Sequence, residues 1–258
     1  MSAVDLKVES LGEGPPVVVL HGLFGAGRNW ITVARALASR YQFHLVDLRN
    51  HGASPHTQSM TYLDMVADVR RLLVTLALDE FTLVGHSMGG KAAMTLALND
   101  PPGLQRLVNV DIAPVSYPDR FVDIINALQA LDLRTIARRA DADRALTSAI
   151  PETSVRLFIL QNLLFEQGQA RWRLNLTTLK REMANILGPL PIAAGAHYDG
   201  PTWFIRGALS DRVGDEHLPL ITQWFPHYRL ETIAGGGHWP HAEAPAAFLT
   251  VFARALDA

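Results

Sequence analysis

An α/β fold, with a mostly parallel central sheet flanked by helices, is predicted by three observations. Short, continuous runs rich in Val, Ile and Leu recur along the chain; a longer segment of helical periodicity follows most of them; and one long stretch breaks the alternation. The runs occupy 17–20, 43–46, 81–84, 107–110, 203–205 and 230–233. Because they are uninterrupted rather than alternating, they suit strands covered on both faces, as in a parallel sheet with crossover helices. Helical periodicity predicts those crossovers at 28–39, 62–77, 88–99, 216–225 and 245–255.

Between 114 and 198 the spacing predicts helices at 121–131, 135–145, 154–164 and 175–186, with no strand among them. The expected domain organisation is therefore a core of 1–113 and 199–258 carrying a helical cap, or lid, at 114–198. This insertion is dense in arginine: Arg134, Arg138, Arg139, Arg144, Arg156, Arg171, Arg173 and Arg181. Two readings fit. The arginines form solvated faces paired with Asp132, Asp141, Asp143, Glu152 and Glu182, or they build an anion-recognising cap for a phosphate or coenzyme A tail. The apolar residues Phe121, Ile124, Leu128, Leu157, Leu160 and Phe165 form either an acyl pocket under the cap or its own packing core.

Composition narrows the chemistry. The 258 residues are 48% hydrophobic and 19% charged, with a formal net charge of −2. A balance of 23 basic against 25 acidic residues provides no overall field for nucleic acid or an anionic membrane. With no cysteine, a thiol nucleophile and thiolate metal sites are excluded, and a covalent mechanism must use another side chain. Charges at Asp5, Lys7 and Glu9 interrupt any leader-like apolar start, and no apolar stretch approaches the roughly 20 residues of a membrane helix. A soluble, cytoplasmic protein without metal or cofactor is expected; the oligomeric state is not encoded legibly.

The segment Phe81-Thr-Leu-Val-Gly85-His86-Ser87-Met88-Gly89-Gly90-Lys91 runs from a strand through G-x-S-x-G into a helix-forming run. That context defines a nucleophile elbow, in which a sharp turn lifts the serine above the sheet and flanking glycines avoid side-chain crowding. Ser87 is the expected nucleophile. The amide of Met88 and that of Leu23, in the loop His21-Gly-Leu-Phe-Gly25 after the first run, are the expected oxyanion donors. Gly22 permits close approach of backbone to substrate, and Gly22, Phe24, His86 and Trp239 are the expected substrate contacts. His21 is expected to brace the loop, and 47–54 (Asp-Leu-Arg-Asn-His-Gly-Ala-Ser) to form a structural turn near the site.

After the last run, Gly235-Gly-Gly-His238 places a histidine on a loop before the final helix. His238 is the expected base; His241 is expected to pack at the helix start with Glu243. Two aspartates compete for the acid. Asp211 lies in the loop after the 203–205 run, one residue beyond the position reached by counting back three from Val213, which is Ser210. Asp111 follows the 107–110 run, at the strand edge where sites of this architecture form.

The set HGLFG at 21–25, DLRNHGAS at 47–54, GHSMGGKAAM at 85–94, DIAPVSY at 111–117 and GHWPHAE at 237–243 resembles the small α/β-hydrolase esterases of the YbfF type, which are similar also to abhydrolase domain-containing protein 11. The resemblance spans nearly the whole chain and is weakest in the cap. It implies an α/β-hydrolase fold with the cap inserted after the sixth strand, and cofactor-free hydrolysis of small-molecule acyl esters or thioesters. It further implies that the acid is the aspartate of the DIAPV segment, Asp111, giving a triad of Ser87, His238 and Asp111 with Asp211 as the alternative. Other outcomes open to the same residues are C–C bond hydrolysis, perhydrolysis, or a non-catalytic ligand-binding role. Dehalogenation would need a carboxylate where Ser87 stands.

Overall fold

The computed structural model describes residues 3–99 and 102–257. Each apolar run is a strand: β2 (Pro16–Leu20), β3 (Gln42–Val46), β4 (Phe81–His86), β5 (Leu104–Val110), β8 (Thr202–Gly207) and β9 (Tyr228–Ile233). They join β1 (Val8–Leu11) in a seven-stranded sheet of order β1-β3-β2-β4-β5-β8-β9. Every pairing is parallel except β1 with β3. β1 has no counterpart among the sequence runs. It is a four-residue edge strand with no fully buried residue, so it lacks the continuous apolar signature of its neighbours.

The sheet is covered on both faces. On one side α1 (Ile31–Leu37) and α10 (Pro245–Asp257) build a core with Val17, Val19, Trp30, Phe248 and Phe252. On the other, α2 (Tyr62–Thr75), α3 (Met88–Ala97) and α9 (Leu218–Trp224) pack through Met65, Leu72, Ala92, Leu96 and Ile221. α2 starts at Thr61, whose hydroxyl accepts from the Asp64 amide while Asp64 accepts in return from the Thr61 amide, a reciprocal cap.

Between β5 and β8 lie α4 (Val122–Ala130), α5 (Arg139–Leu146), α6 (Thr153–Leu160), α7 (Leu176–Arg181) and α8 (Met183–Leu187). Two sequence expectations are corrected here. The segment contains an antiparallel hairpin, β6 (Leu163–Glu166) with β7 (Gln169–Trp172), where a helix to 164 and no strand were expected. Its signal was the two-residue turn Gln167-Gly168, both with positive φ (50° and 79°), a geometry that glycine favours and that suits tight hairpins. The segment also follows the fifth strand of this chain rather than the sixth, because only one strand, β1, precedes β2.

Most of the segment's arginines are paired with carboxylates, at the surface except for the buried Arg156. Arg134 meets Asp132, Arg138 and Arg144 meet Asp141, Arg156 meets Asp143, and Arg181 meets Glu182. Arg139 donates instead to the carbonyls of Leu160 and Leu163. Of the apolar set, Leu128 and Leu160 are packed in the core, whereas Leu157 and Phe165 are 52% and 37% exposed. No helix among the described residues is long and apolar enough to cross a membrane.

The loop after β3 carries a buried ion cluster. Arg49 donates through Nε and Nη2 to the two oxygens of Asp68 at 2.6 and 2.7 Å and lies 3.5 Å from Asp64. Since these groups have lost their water, removing the one cation leaves two buried carboxylates uncompensated. Arg49→Ala is expected to destabilise the fold by about 3–5 kcal/mol, read as a lowered midpoint in thermal or urea denaturation; a midpoint within a degree of wild type would refute this.

Candidate active site

The elbow is made by glycines that leave no room for anything larger. A Cβ on Gly85 would lie 2.3 Å from the Gly89 carbonyl, and one on Gly89 2.4 Å from the Leu20 carbonyl, so β4, α3 and the end of β2 touch through bare backbone. Ser87 itself sits at φ 52°, ψ −119°, a strained position for a residue with a side chain. It is held there because its amide donates to the Val110 carbonyl and its carbonyl accepts from the Lys91 amide.

The turn presents Ser87 Oγ 3.1 Å from His238 Nε2, and His238 Nδ1 lies 2.8 Å from Asp111 Oδ2. Asp111 also has positive φ (51°), its amide donating to the Ile205 carbonyl of β8. The carboxylate is wholly buried and takes further bonds from the Gly207 amide (2.9 Å) and the Ser210 hydroxyl (2.5 Å). Asp211, the other aspartate, points away: its side chain is 66% exposed and pairs with Arg120 and Arg212. Ser210, the position that counting back from Val213 reaches, is therefore a hydrogen-bond donor to the buried acid. In the sequence a serine at this position carries no signal of that role.

The surrounding residues act as supports. Leu48 donates its amide to His21 Nε2 (3.0 Å), which leaves Nδ1–H to donate to the Gly22 carbonyl (2.8 Å). In the same way the Phe24 amide donates to His51 Nε2, so the 47–54 turn braces the loop that carries Leu23. Phe24 and His86, two of the expected substrate contacts, are turned into the protein. Phe24 is buried and packs edge-on against Phe121, while buried His86 bonds through Nε2 to the His238 carbonyl (2.7 Å), holding that loop from beneath. Trp239 packs against Phe158 and the His238 ring, beside the site. Gly22 lies against it, since a Cβ there would stand 3.2 Å from Ser87 Cβ. His241 stacks on Trp30 (ring centroids 4.5 Å apart) rather than meeting Glu243, which accepts instead from the Gly237 amide.

A small cavity of about 20 Å³ touches Ser87, walled by apolar Leu23, Met88, Ile112, Phe121, Ile186 and Leu187, with Lys91, Tyr117 and Arg212. Lys91 Nζ donates to the carbonyls of Val115, Leu187 and Gly188, so both ends of the inserted segment meet on the helix that carries the serine. Burial pushes its ammonium down to about 8.

Four histidines around the site are buried in their neutral form. Burial lowers His21 to about 4, His51 and His241 to about 3, and His86 well below its ordinary value. Below the ordinary value of 6.5 the unfolded chain takes up protons that the folded chain refuses, so stability is complete above pH 6.5 and falls with pH towards 4. Each such histidine contributes a slope of up to about 1.4 kcal/mol per pH unit. A urea midpoint that falls steeply between pH 6.5 and 4, and less steeply in His241→Phe, is the expected result; a midpoint flat over that range would contradict it.

A serine raised on a strand-to-helix turn, with a loop histidine and a buried carboxylate in line behind it, defines a hydrolase of the nucleophile-elbow class. The chain belongs to the α/β-hydrolase family: residues 15–245 match the family described as alpha/beta hydrolase fold. It is 41% identical over 253 residues to the sn-1-specific diacylglycerol lipase ABHD11 of Xenopus laevis, covering 95% of this chain and 80% of that one. It is 37% identical to esterase YbfF of Escherichia coli (strain K12), covering 94% and 93%. Among solved structures, a marine microorganism esterase superposes with a TM-score of 0.93 at 34% identity, covering 98% of this chain and 99% of that one. The chain is accordingly an enzyme of the serine carboxylesterase type.

Proposed function

We propose that the chain hydrolyses small carboxylic esters through an acyl-enzyme on Ser87. The observation that carries this reading is the hydrogen-bonded line from Ser87 Oγ through His238 to Asp111. His238 Nε2 removes the Ser87 proton as Oγ attacks the ester carbonyl, and returns it to the departing alkoxide; water activated by the same nitrogen then releases the acid. Asp111 accepts from His238 Nδ1–H, fixing the tautomer that leaves Nε2 free. The Gly207 amide and Ser210 hydroxyl hold that carboxylate in place. The amides of Leu23 and Met88 receive the developing oxyanion; each such donor is worth about 3–4 kcal/mol of barrier in comparable sites.

Residues 114–198 act as the lid over this site. Its two ends supply Tyr117 and Phe121 from one side and Ile186 and Leu187 from the other to the cavity wall. The cavity does not include His238. Because the leaving group must be protonated by Nε2, it departs on the histidine side, and the cavity is the acyl side. Labelling with a fluorophosphonate probe, with mass-spectrometric location of the adduct on the peptide containing Ser87, tests the reading. An adduct elsewhere, or none in folded protein, would sink it.

A further inference from the structure

The acyl cavity ends at a pair of side chains that also wall a second pocket. On the far side of Tyr117 and Arg212 lies a surface pocket of about 180 Å³, between the start of the inserted segment at Ser116–Arg120 and the loop after β8 that carries Glu216 and His217. The cavity at Ser87, about 20 Å³, has room for about one water-sized group.

The two separating side chains are held differently. Tyr117 is pinned: its hydroxyl accepts from the Ala113 amide (2.9 Å) and donates to the Arg212 carbonyl (2.6 Å), and its own amide donates to the Leu187 carbonyl. The Arg212 guanidinium lies over the Tyr117 ring, 5.3 Å from its centroid, and 3.4 Å from exposed Asp211. A contact with an exposed carboxylate is weak. The backbone of Arg212 is fixed independently of its side chain, through its carbonyl to Tyr117 and its amide to Ser210 Oγ (3.3 Å). Rotation of that one side chain off the ring therefore leaves in place the backbone bonds of the loop that supports Asp111.

We propose that Arg212 is the gate between these two spaces and sets the length of acyl chain the enzyme accepts: closed over Tyr117 it limits the site to short acyl groups, and displaced it lets a longer chain thread into the surface pocket. This rests on the esterase reading and on the acyl assignment of the cavity. Its first wall is apolar and its outer chamber polar, with Arg120, Glu216 and His217 around it. Chains with a polar far end suit the extended site better than plain alkyl chains of equal length.

The test is the dependence of kcat/KM on chain length for p-nitrophenyl acetate, butyrate, hexanoate and octanoate, in wild type, Arg212→Ala and Arg212→Met. Wild type is expected to lose activity steeply with length. In Arg212→Ala the octanoate-to-acetate ratio is expected to rise by about tenfold or more, the scale on which pockets sort chains differing by a methylene or two, with the change carried mainly by KM. Arg212→Met, which keeps a long flexible side chain but neither the charge nor the planar stack, is expected to lie between them and serves if the alanine variant does not fold. A wild-type length profile in the folded variants, or a wild type already indifferent to length, would overturn the gate. Absence of turnover by wild type on every ester would overturn the esterase reading itself.

Discussion

Ser87→Ala is expected to reduce kcat for a short p-nitrophenyl ester by about 10⁶-fold, the scale reported when the nucleophile of a serine triad is removed. The size follows from the geometry. Among the described residues, the elbow holds Ser87 Oγ both beside the small cavity and 3.1 Å from His238 Nε2. Without it no acyl-enzyme forms, and the remaining rate reflects only a bound ester and the oxyanion donors acting on water. The fold is expected to survive, because the strained turn is held by backbone bonds to Val110 and Lys91 and by Gly85 and Gly89, none of which involves the hydroxyl. Kinetics together with circular dichroism of the variant check both statements. A folded Ser87→Ala that keeps more than a tenth of the wild-type rate would exclude the serine as nucleophile.

Asp111→Asn is expected to lower kcat by about 10⁴-fold, whereas Asp211→Asn leaves it within a few-fold on a short ester. An amide at position 111 can present an N–H to His238 Nδ1. The imidazole then turns its proton to Nε2, the atom that must accept from Ser87. The Gly207 amide and Ser210 hydroxyl, which donate to the carboxylate, fix which of its oxygens faces the histidine. Asp211 meets only Arg120 and Arg212 among the described residues, at the surface. Parallel steady-state measurements on the two variants decide between them, and the reverse ranking would move the acid to Asp211.

How much of this is visible in the chain depends on how local each feature is. The parallel strands β2, β4 and β5 are buried along most of their length, so their apolar runs read directly. β1 does not read because an edge strand is half solvated and short. The hairpin β6–β7 does not read because only Leu163 and Ala170 of its eight residues are buried, and the helical spacing upstream runs into it. The expected helix at 175–186 is divided at Glu182 (φ −91°, ψ 5°) into α7 and α8, with no proline or glycine at the break to mark it in the sequence. His86 and Phe24 stand beside catalytic motifs in sequence and were read as substrate contacts. The end of β4 turns His86 inward and a turn with φ 62° does the same for Phe24, so both pack inside the protein, His86 bracing the His238 loop.

The sequence by itself determined the α/β architecture, the elbow at Ser87 and the glycine-flanked loop of His238, because each is written in adjacent residues whose backbone demands are local. It left two aspartates for one role, since which of them meets the histidine depends on the register between β5 and β8, two strands separated by the whole inserted segment. In the folded chain that register, with Asp111 turned at φ 51°, brings Asp111 to 2.8 Å from His238 and directs Ser210 rather than Asp211 inward. A one-residue difference in a loop sends neighbouring side chains to opposite sides, one into the buried site and the other into water. Only the tertiary structure sets which is which.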